Sequence, residues 1–175
     1  MVPVIQIDIE KCTGCRRCET ACAFFHTGKI NNHQARIKVL NLYETGIDGP
    51  IVCQQCQQRY CLHCPVEALS RGPNGQVIVS PTVCILCGTC EKACPIGAIE
   101  LFEEFVYVCD LCGGDPRCVP ACTENALTYQ PDITEKISLE NIKKPTGPMN
   151  PGEKRHFYLK QLGAELRKKW SKHHA

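Results

Sequence analysis

No stretch of this 175-residue chain approaches the roughly 20 consecutive apolar residues that a spanning helix needs, so no membrane segment is expected. Its first residues, Met1-Val2-Pro3-Val4-Ile5-Gln6-Ile7-Asp8, lack a basic n-region, a twin arginine and a cleavage site. A cytoplasmic protein is the expectation. Aromatic residues make up only 6%, against 12 prolines and 13 glycines, so much of the chain should be turns and short elements, held by more than apolar burial. Also missing are the G-x-G-x-x-G, P-loop, nucleophile-elbow and H-E-x-x-H motifs, and the titratable residues are scattered. No catalytic residue is assigned, and substrate chemistry is expected elsewhere.

What is abundant is cysteine, with sixteen in four groups of four and none left over. The groups are Cys12, Cys15, Cys18, Cys22; Cys53, Cys56, Cys61, Cys64; Cys84, Cys87, Cys90, Cys94; and Cys109, Cys112, Cys118, Cys122. A disulfide framework would suit a secreted domain, but C-x2-C-x2-C runs would force crowded, strained bridges. Zinc modules pair two separated C-x2-C knuckles, whereas Cys12 to Cys18 crowds three thiols into seven residues. The run Cys84-Ile85-Leu86-Cys87-Gly88-Thr89-Cys90-Glu91-Lys92-Ala93-Cys94-Pro95 matches the bacterial [4Fe–4S] pattern C-x2-C-x2-C-x3-C-P. Three close thiolates reach three corners of one cubane, and the fourth cysteine, expected to open a short helix, ligates a neighbouring cluster.

The groups form a repeat. The second, third and fourth continue as Pro65-Val66-Glu67-Ala68-Leu69, Pro95-Ile96-Gly97-Ala98-Ile99 and Thr123-Glu124-Asn125-Ala126-Leu127, read here as one- to two-turn helices. Strand-like runs cover Val4 to Asp8, Arg36 to Leu42, Gln76 to Ser80, Ile99 to Glu103, Phe105 to Val108 and Leu127 to Gln130. Strand, cluster loop, helix, strand is the unit of a two-cluster ferredoxin, here present twice. The expected class is α+β: tandem ferredoxin-like [4Fe–4S] modules with short antiparallel strands and short helices, over residues 1–130. Four paired clusters leave electron transfer as the expected task, with the redox chemistry supplied by the cofactor.

The spacings are 2-2-3, 2-4-2, 2-2-3 and 2-5-3, the last read from Cys109-Asp110-Leu111-Cys112-Gly113-Gly114-Asp115-Pro116-Arg117-Cys118-Val119-Pro120-Ala121-Cys122. In this order the chain resembles the four-cluster, ferredoxin-like electron-transfer subunits of multi-subunit oxidoreductases. Within them it is most similar to the polyferredoxin beside tungsten enzymes of the aldehyde:ferredoxin oxidoreductase family, which includes aldehyde oxidoreductases and ATP-independent benzoyl-CoA reductases of anaerobes. The resemblance implies a large tungstopterin-containing catalytic subunit and, as the other redox partner, a flavin subunit or a ferredoxin. The alternatives are the iron–sulfur beta subunit of a molybdopterin reductase, formate dehydrogenase or hydrogenase, and a free-standing polyferredoxin.

The resemblance also implies a nested ligation. Cys12, Cys15 and Cys18 would share a cluster with Cys122, and Cys109, Cys112 and Cys118 one with Cys22. Cys53, Cys56 and Cys61 would go with Cys94, and Cys84, Cys87 and Cys90 with Cys64. Spacing alone requires only that fourth cysteines be exchanged. Cys61-Leu62-His63-Cys64 is one residue shorter than the family pattern, a rotation of about 100° on a helix. Four clusters are therefore expected, or three if Cys64 cannot ligate. His26, four residues after Cys22, could be a cluster ligand or a hydrogen-bond donor to a sulfur, and His63 a substitute ligand if Cys64 cannot reach, but sixteen thiolates already match sixteen cubane corners, so surface imidazoles are expected at both.

The net charge of +2 hides an asymmetry: residues 1–131 hold 10 Lys and Arg against 13 Asp and Glu, and residues 132–175 hold 10 against 5. Residues 131–149, with Pro131, Lys143, Lys144, Pro145 and Pro148, read as an extended arm. A helix over 150–172 should follow, with Asn150 as N-cap, Pro151 at N1 and Glu153 at N3. Its apolar stripe is Leu159, Leu162, Leu166 and Trp170, with Tyr158 alongside. The other faces carry Lys154, Arg155, Lys160, Arg167, Lys168 and Lys169. Oxidised cubanes would add about −2 each to the acidic body. The helix is accordingly expected to dock on the body or a partner subunit, rather than on nucleic acid or membrane.

Overall fold

The computed structural model describes residues 2–133, 138–140, 142–143 and 147–173, so Lys144 and Pro145 of the expected arm lie outside the described residues. The elements, in order, are β1 (Val2–Ile7), α1 (Arg17–Thr27), β2 (Lys38–Leu42), β3 (Ile47–Ile51), β4 (Leu69–Arg71), β5 (Val77–Val79), α2 (Thr89–Ala93), β6 (Ile99–Phe102), β7 (Phe105–Val108), β8 (Leu127–Ile133) and α3 (Pro151–His173). The fold is α+β, and every described sheet is a two-stranded antiparallel pair.

Topology brings the ends of the repeat together. β1 pairs with β8, Ile5 facing Tyr129, which sets the first cysteine group beside the fourth. The β4–β5 hairpin lies between groups two and three, and β6–β7 leads from group three to group four. The pairs β2–β3, β4–β5 and β6–β7 are local hairpins, whereas β1–β8 spans the whole body.

Two strands escaped the sequence reading. β3 contains Gly49 and Pro50, which break an alternating pattern but are tolerated in a two-stranded edge, and β4 is only three residues long. The segments after the fourth cysteines are turns, not helices. Glu67, Gly97 and Asn125, each three residues after such a cysteine, take left-handed backbone with φ of 54°, 65° and 52°. That conformation cannot propagate a right-handed helix. The helices instead come earlier: α1 carries Cys18 and Cys22, and α2 carries Cys90 and ends against Cys94.

α1 buries Cys18, Glu19, Cys22 and Ala23, one face of a helix at i, i+1, i+4 and i+5. Glu19 is only 2% exposed, and it accepts hydrogen bonds from the backbone N–H of Val39 at 2.5 Å and from Arg16 at 3.2 Å. Gly28, left-handed, stops the helix by donating its N–H to the carbonyl of Phe24.

α3 is seated on the chain's own body. Asn150 and Glu153 bond each other's backbone N–H reciprocally, closing a capping box. Leu159 is fully buried against the β2–β3 hairpin, so close that a Cβ on Gly49 would lie 2.6 Å from its Cδ1. Nearer the helix start, a Cβ on Gly97 would meet the carbonyl oxygen of Pro151 at 2.2 Å. Lys154 and Arg155 face inward rather than to solvent. Lys154 Nζ donates to the carbonyls of Glu91 and Lys92, the last turn of α2, where a cation also meets the negative end of the helix dipole. Arg155 donates to the carbonyl of Gly97 and pairs with Glu100 at 3.1 Å. Further out, Lys169 and Trp170 both reach the carboxylate of Glu10.

Burial alone would raise the Glu100 carboxyl, but Arg155 and then Lys38 outweigh it and hold its pKa below the ordinary 4.5. A depressed carboxylate stabilises the fold above its unfolded pKa and loses that contribution as pH falls through the folded one. Wild type is therefore expected to outlast Glu100→Gln in denaturant at neutral pH, the gap closing as the pH drops below 4.5. Anaerobic unfolding midpoints of both proteins across that range check it, because acid lability of bound clusters enters both alike.

Candidate iron–sulfur site

In each cysteine group the residue two positions after the first cysteine is left-handed: Gly14, Gln55, Leu86 and Leu111, with φ between 48° and 68°. Three of these four are not glycine, and each such residue costs about 1–2 kcal/mol. The strain persists because the curl turns neighbouring cysteine side chains toward one another.

The second loop is further pinned by a buried polar network. Gln55 donates to the carbonyl of Cys109 at 2.9 Å and accepts from the N–H of Val77 and from Arg59, and Arg59 reaches the carbonyl of Gly75. One amide side chain thus ties group two to group four across the body. A buried hydrogen-bonded network of this kind rigidifies the site it surrounds.

None of the sixteen cysteines is in a disulfide, and only Cys15 and Cys87 are exposed. They gather in sets that draw on two groups each. Cys12 feels Cys122 and Cys15, and Cys18 feels Cys12 and Cys122. Cys109 interacts with Cys118 and Cys22, and Cys112 also with Cys22. Cys53, Cys56, Cys61 and Cys94 line one hollow with Tyr60, Pro95, Ile96 and Leu139. Cys90 lies within electrostatic reach of Cys84 and Cys64, so the shortened loop does not carry Cys64 away. Cys87 stands at the surface, where Thr89 and Lys92 are its partners.

Burial pushes these thiols up, Cys18 and Cys61 to about 12 and Cys90 to about 11. Glu19 adds to the rise at Cys18, and Cys94 to that at Cys61. Cys53, Cys109 and Cys118 move the same way, with neighbouring cysteines reinforcing burial. Crowded, desolvated sulfurs disfavour free thiolates and suit polynuclear iron, which replaces the proton and neutralises the charge. Backbone N–H groups already point at several sulfurs: Arg36 to Cys22 at 3.2 Å, Ala98 to Cys94 at 3.3 Å and Ala126 to Cys122 at 3.3 Å. The donor set fits [4Fe–4S] clusters.

Electrostatic interactions also run between these sets. Cys118 feels Cys18, and Cys53 feels Cys109. The surface imidazole expected at His26 is not what the structure shows. Its side chain is 11% exposed, with Nε2 3.6 Å from Cys112 Sγ and 3.6 Å from Asp110 Oδ1. The contact fits instead the alternative of a hydrogen-bond donor to a sulfur. The available signal was its place one helical turn after Cys22, hence on the same face of α1. His63 is exposed, in line with the surface role expected for it.

Among the described residues no helix is long and apolar enough to cross a membrane. Residues 4–28 and 77–100 each match the family described as 4Fe-4S binding domain. The polyferredoxin-like subunit of aliphatic sulfonate oxidoreductase from Pyrococcus furiosus is 43% identical over 124 residues, covering 69% of this chain and 71% of that one. A ferredoxin of Methanocaldococcus jannaschii is 41% identical over 134 residues, 75% of this chain and 74% of its own. Among solved structures, the BamBC active-site complex of benzoyl-coenzyme A reductase bound to benzoyl-CoA aligns with a TM-score of 0.46 and 28% identity, over 74% of this chain and 79% of that one. With repeated cluster motifs, and with the Pyrococcus furiosus subunit 43% identical over more than two thirds of both chains, the chain belongs to the ferredoxin-like iron–sulfur electron-transfer subunits of oxidoreductases.

Proposed function

We propose that this chain is the electron-conducting subunit of a tungstopterin oxidoreductase, with four [4Fe–4S] clusters held by its sixteen cysteines in the nested arrangement. The observation that carries the wire is the order of the quartets. Cys12, Cys15, Cys18 and Cys122 neighbour Cys22, Cys109, Cys112 and Cys118 through the Cys18–Cys118 interaction. That second quartet neighbours Cys53, Cys56, Cys61 and Cys94 through Cys53–Cys109. The last, Cys64, Cys84, Cys87 and Cys90, shares its loops with the third, because Cys64 and Cys94 belong to each other's groups in sequence.

When bound, the clusters supply reversible one-electron chemistry. The protein's part is to align, insulate and expose. Its two exposed cysteines, Cys15 and Cys87, fall in the two end quartets, whereas the inner quartets hold six buried cysteines and two half-buried ones, Cys56 and Cys112. Each end is bordered by uncovered apolar side chains, Phe24 and Ile30 at one and Ile85 and Leu86 at the other. An insulated interior with two open ends is the layout of a conductor between two protein partners rather than of a single-site carrier. A catalytic subunit would meet one end, and a flavin subunit or ferredoxin the other.

The similarity to the aliphatic sulfonate oxidoreductase subunit supports an oxidoreductase partner, and tungsten rests on the resemblance of the Cys109 to Cys118 motif to the polyferredoxin beside tungsten enzymes. The test is metal analysis of the complex that copurifies anaerobically with the N-terminally tagged chain. Tungsten with a large subunit and about sixteen irons on this chain, four per cubane, is the expected result. Molybdenum or nickel would assign the chain to the other oxidoreductases, and iron alone to a free polyferredoxin.

A further inference from the structure

We infer that His26 sets the redox potential at the quartet containing Cys112 by donating its Nε2–H to the Cys112 sulfur, an inference that rests on Cys112 being an iron ligand. A ligating thiolate carries no proton and can only accept, so the 3.6 Å contact assigns the proton to Nε2 of the imidazole. The competing acceptor, Asp110 Oδ1, lies at the same 3.6 Å, beyond hydrogen-bond distance for a nitrogen–oxygen pair though not for sulfur, and it has other partners. Asp110 Oδ1 takes the backbone N–H of Cys112 at 3.0 Å, and its Oδ2 pairs with Arg36 at 2.5 Å. Arg36 in turn donates its own backbone N–H to Cys22, a cysteine of the same proposed quartet. The donor atoms of His26, Asp110 and Cys112 lie within 4.8 Å of one another. With Asp110 held by Arg36 and the sulfur given to iron, the three do not form a separate metal site.

His26 differs from the other donors to sulfur. Cys22, Cys94 and Cys122 receive backbone N–H groups, which are common to any sequence in this fold. Thr89 meets Cys87 at 3.3 Å, but in solvent. Among the described residues His26, itself 11% exposed, is the side-chain donor to a half-buried cysteine sulfur, with the Phe25 ring edge-on at 5.0 Å and Arg117 over that ring. Away from full contact with water a hydrogen bond acts more strongly. It favours the more negative, reduced state of a cluster over the oxidised one and so raises the potential.

The experiment uses the full-length, anaerobically purified holoprotein at one fixed pH. Redox titration followed by electron paramagnetic resonance should show one cluster of His26→Leu shifted to lower potential and the others unmoved. His26→Gln, which keeps an N–H donor, should recover part of the shift. Pulsed resonance on wild type labelled with 15N-histidine should show a weak nitrogen coupling at that cluster, lost in His26→Gln. Unshifted potentials overturn the inference, as does a coupling of the size of a direct iron–nitrogen bond, or none. Iron lost from His26→Gln overturns it too, because His26 would then hold the loop rather than tune the cluster. The reading of Cys112 as a ligand fails separately, if Cys112→Ser keeps all its iron and every cluster signal.

Discussion

Truncating the chain before Asn150 is expected to lower its thermal stability sharply and to release iron early from the quartets built around α2. α3 covers the β2–β3 hairpin with Leu159, caps the last turn of α2 with Lys154 and clamps Gly97 and Glu100 with Arg155. Leu159→Ala by itself should cost about 2–5 kcal/mol, the range for deleting a fully buried leucine side chain. Removing the whole helix costs more, because it also uncovers Ile47 and leaves Glu100 without its arginine. Loss of visible absorbance on anaerobic heating reports both effects. If the truncated chain melts like wild type but no longer copurifies with a partner, the helix serves assembly and its seat on the body contributes little.

Cys22→Ala is expected to remove the same cluster signal as Cys112→Ala, and a different one from Cys15→Ala, although Cys15 is seven residues from Cys22 and Cys112 is ninety. The physical basis is the gathering of Cys22 with Cys109, Cys112 and Cys118 while Cys12 and Cys18 face Cys122. Each variant should fall from about sixteen irons towards about twelve, or keep a degraded three-iron cluster at the altered corner. The spectra decide the pairing. If Cys22→Ala instead erased the signal lost in Cys15→Ala, each group would ligate its own cluster and the exchange would be wrong.

The repeat, the chemistry of its cysteines and the fold class could be read directly, because a run such as Cys84 to Pro95 constrains both loop geometry and metal type. The start of α3 was equally legible: Asn150 and Glu153 make local bonds that need no tertiary partner. Less visible were β3 and β4, whose glycine, proline and brevity leave no periodic signal, and whose pairing is with a hairpin neighbour. The turns at Glu67 and Asn125 were misread as helices, since propensity does not reveal a left-handed residue forced by the path of the chain.

By itself, then, the amino-acid sequence determined that this is an iron–sulfur protein of repeated ferredoxin-like units, since ligand chemistry and loop spacing are local properties. Only the tertiary structure decided which distant cysteines meet, because that depends on β1 closing against β8. It also decided where the basic helix goes. Lys154 and Arg155 look like solvent-facing charge in the sequence, yet carbonyls at the end of α2 and the Glu100 carboxylate draw them inward. The same holds for His26, whose helical turn brings it to a sulfur eighty-six residues away.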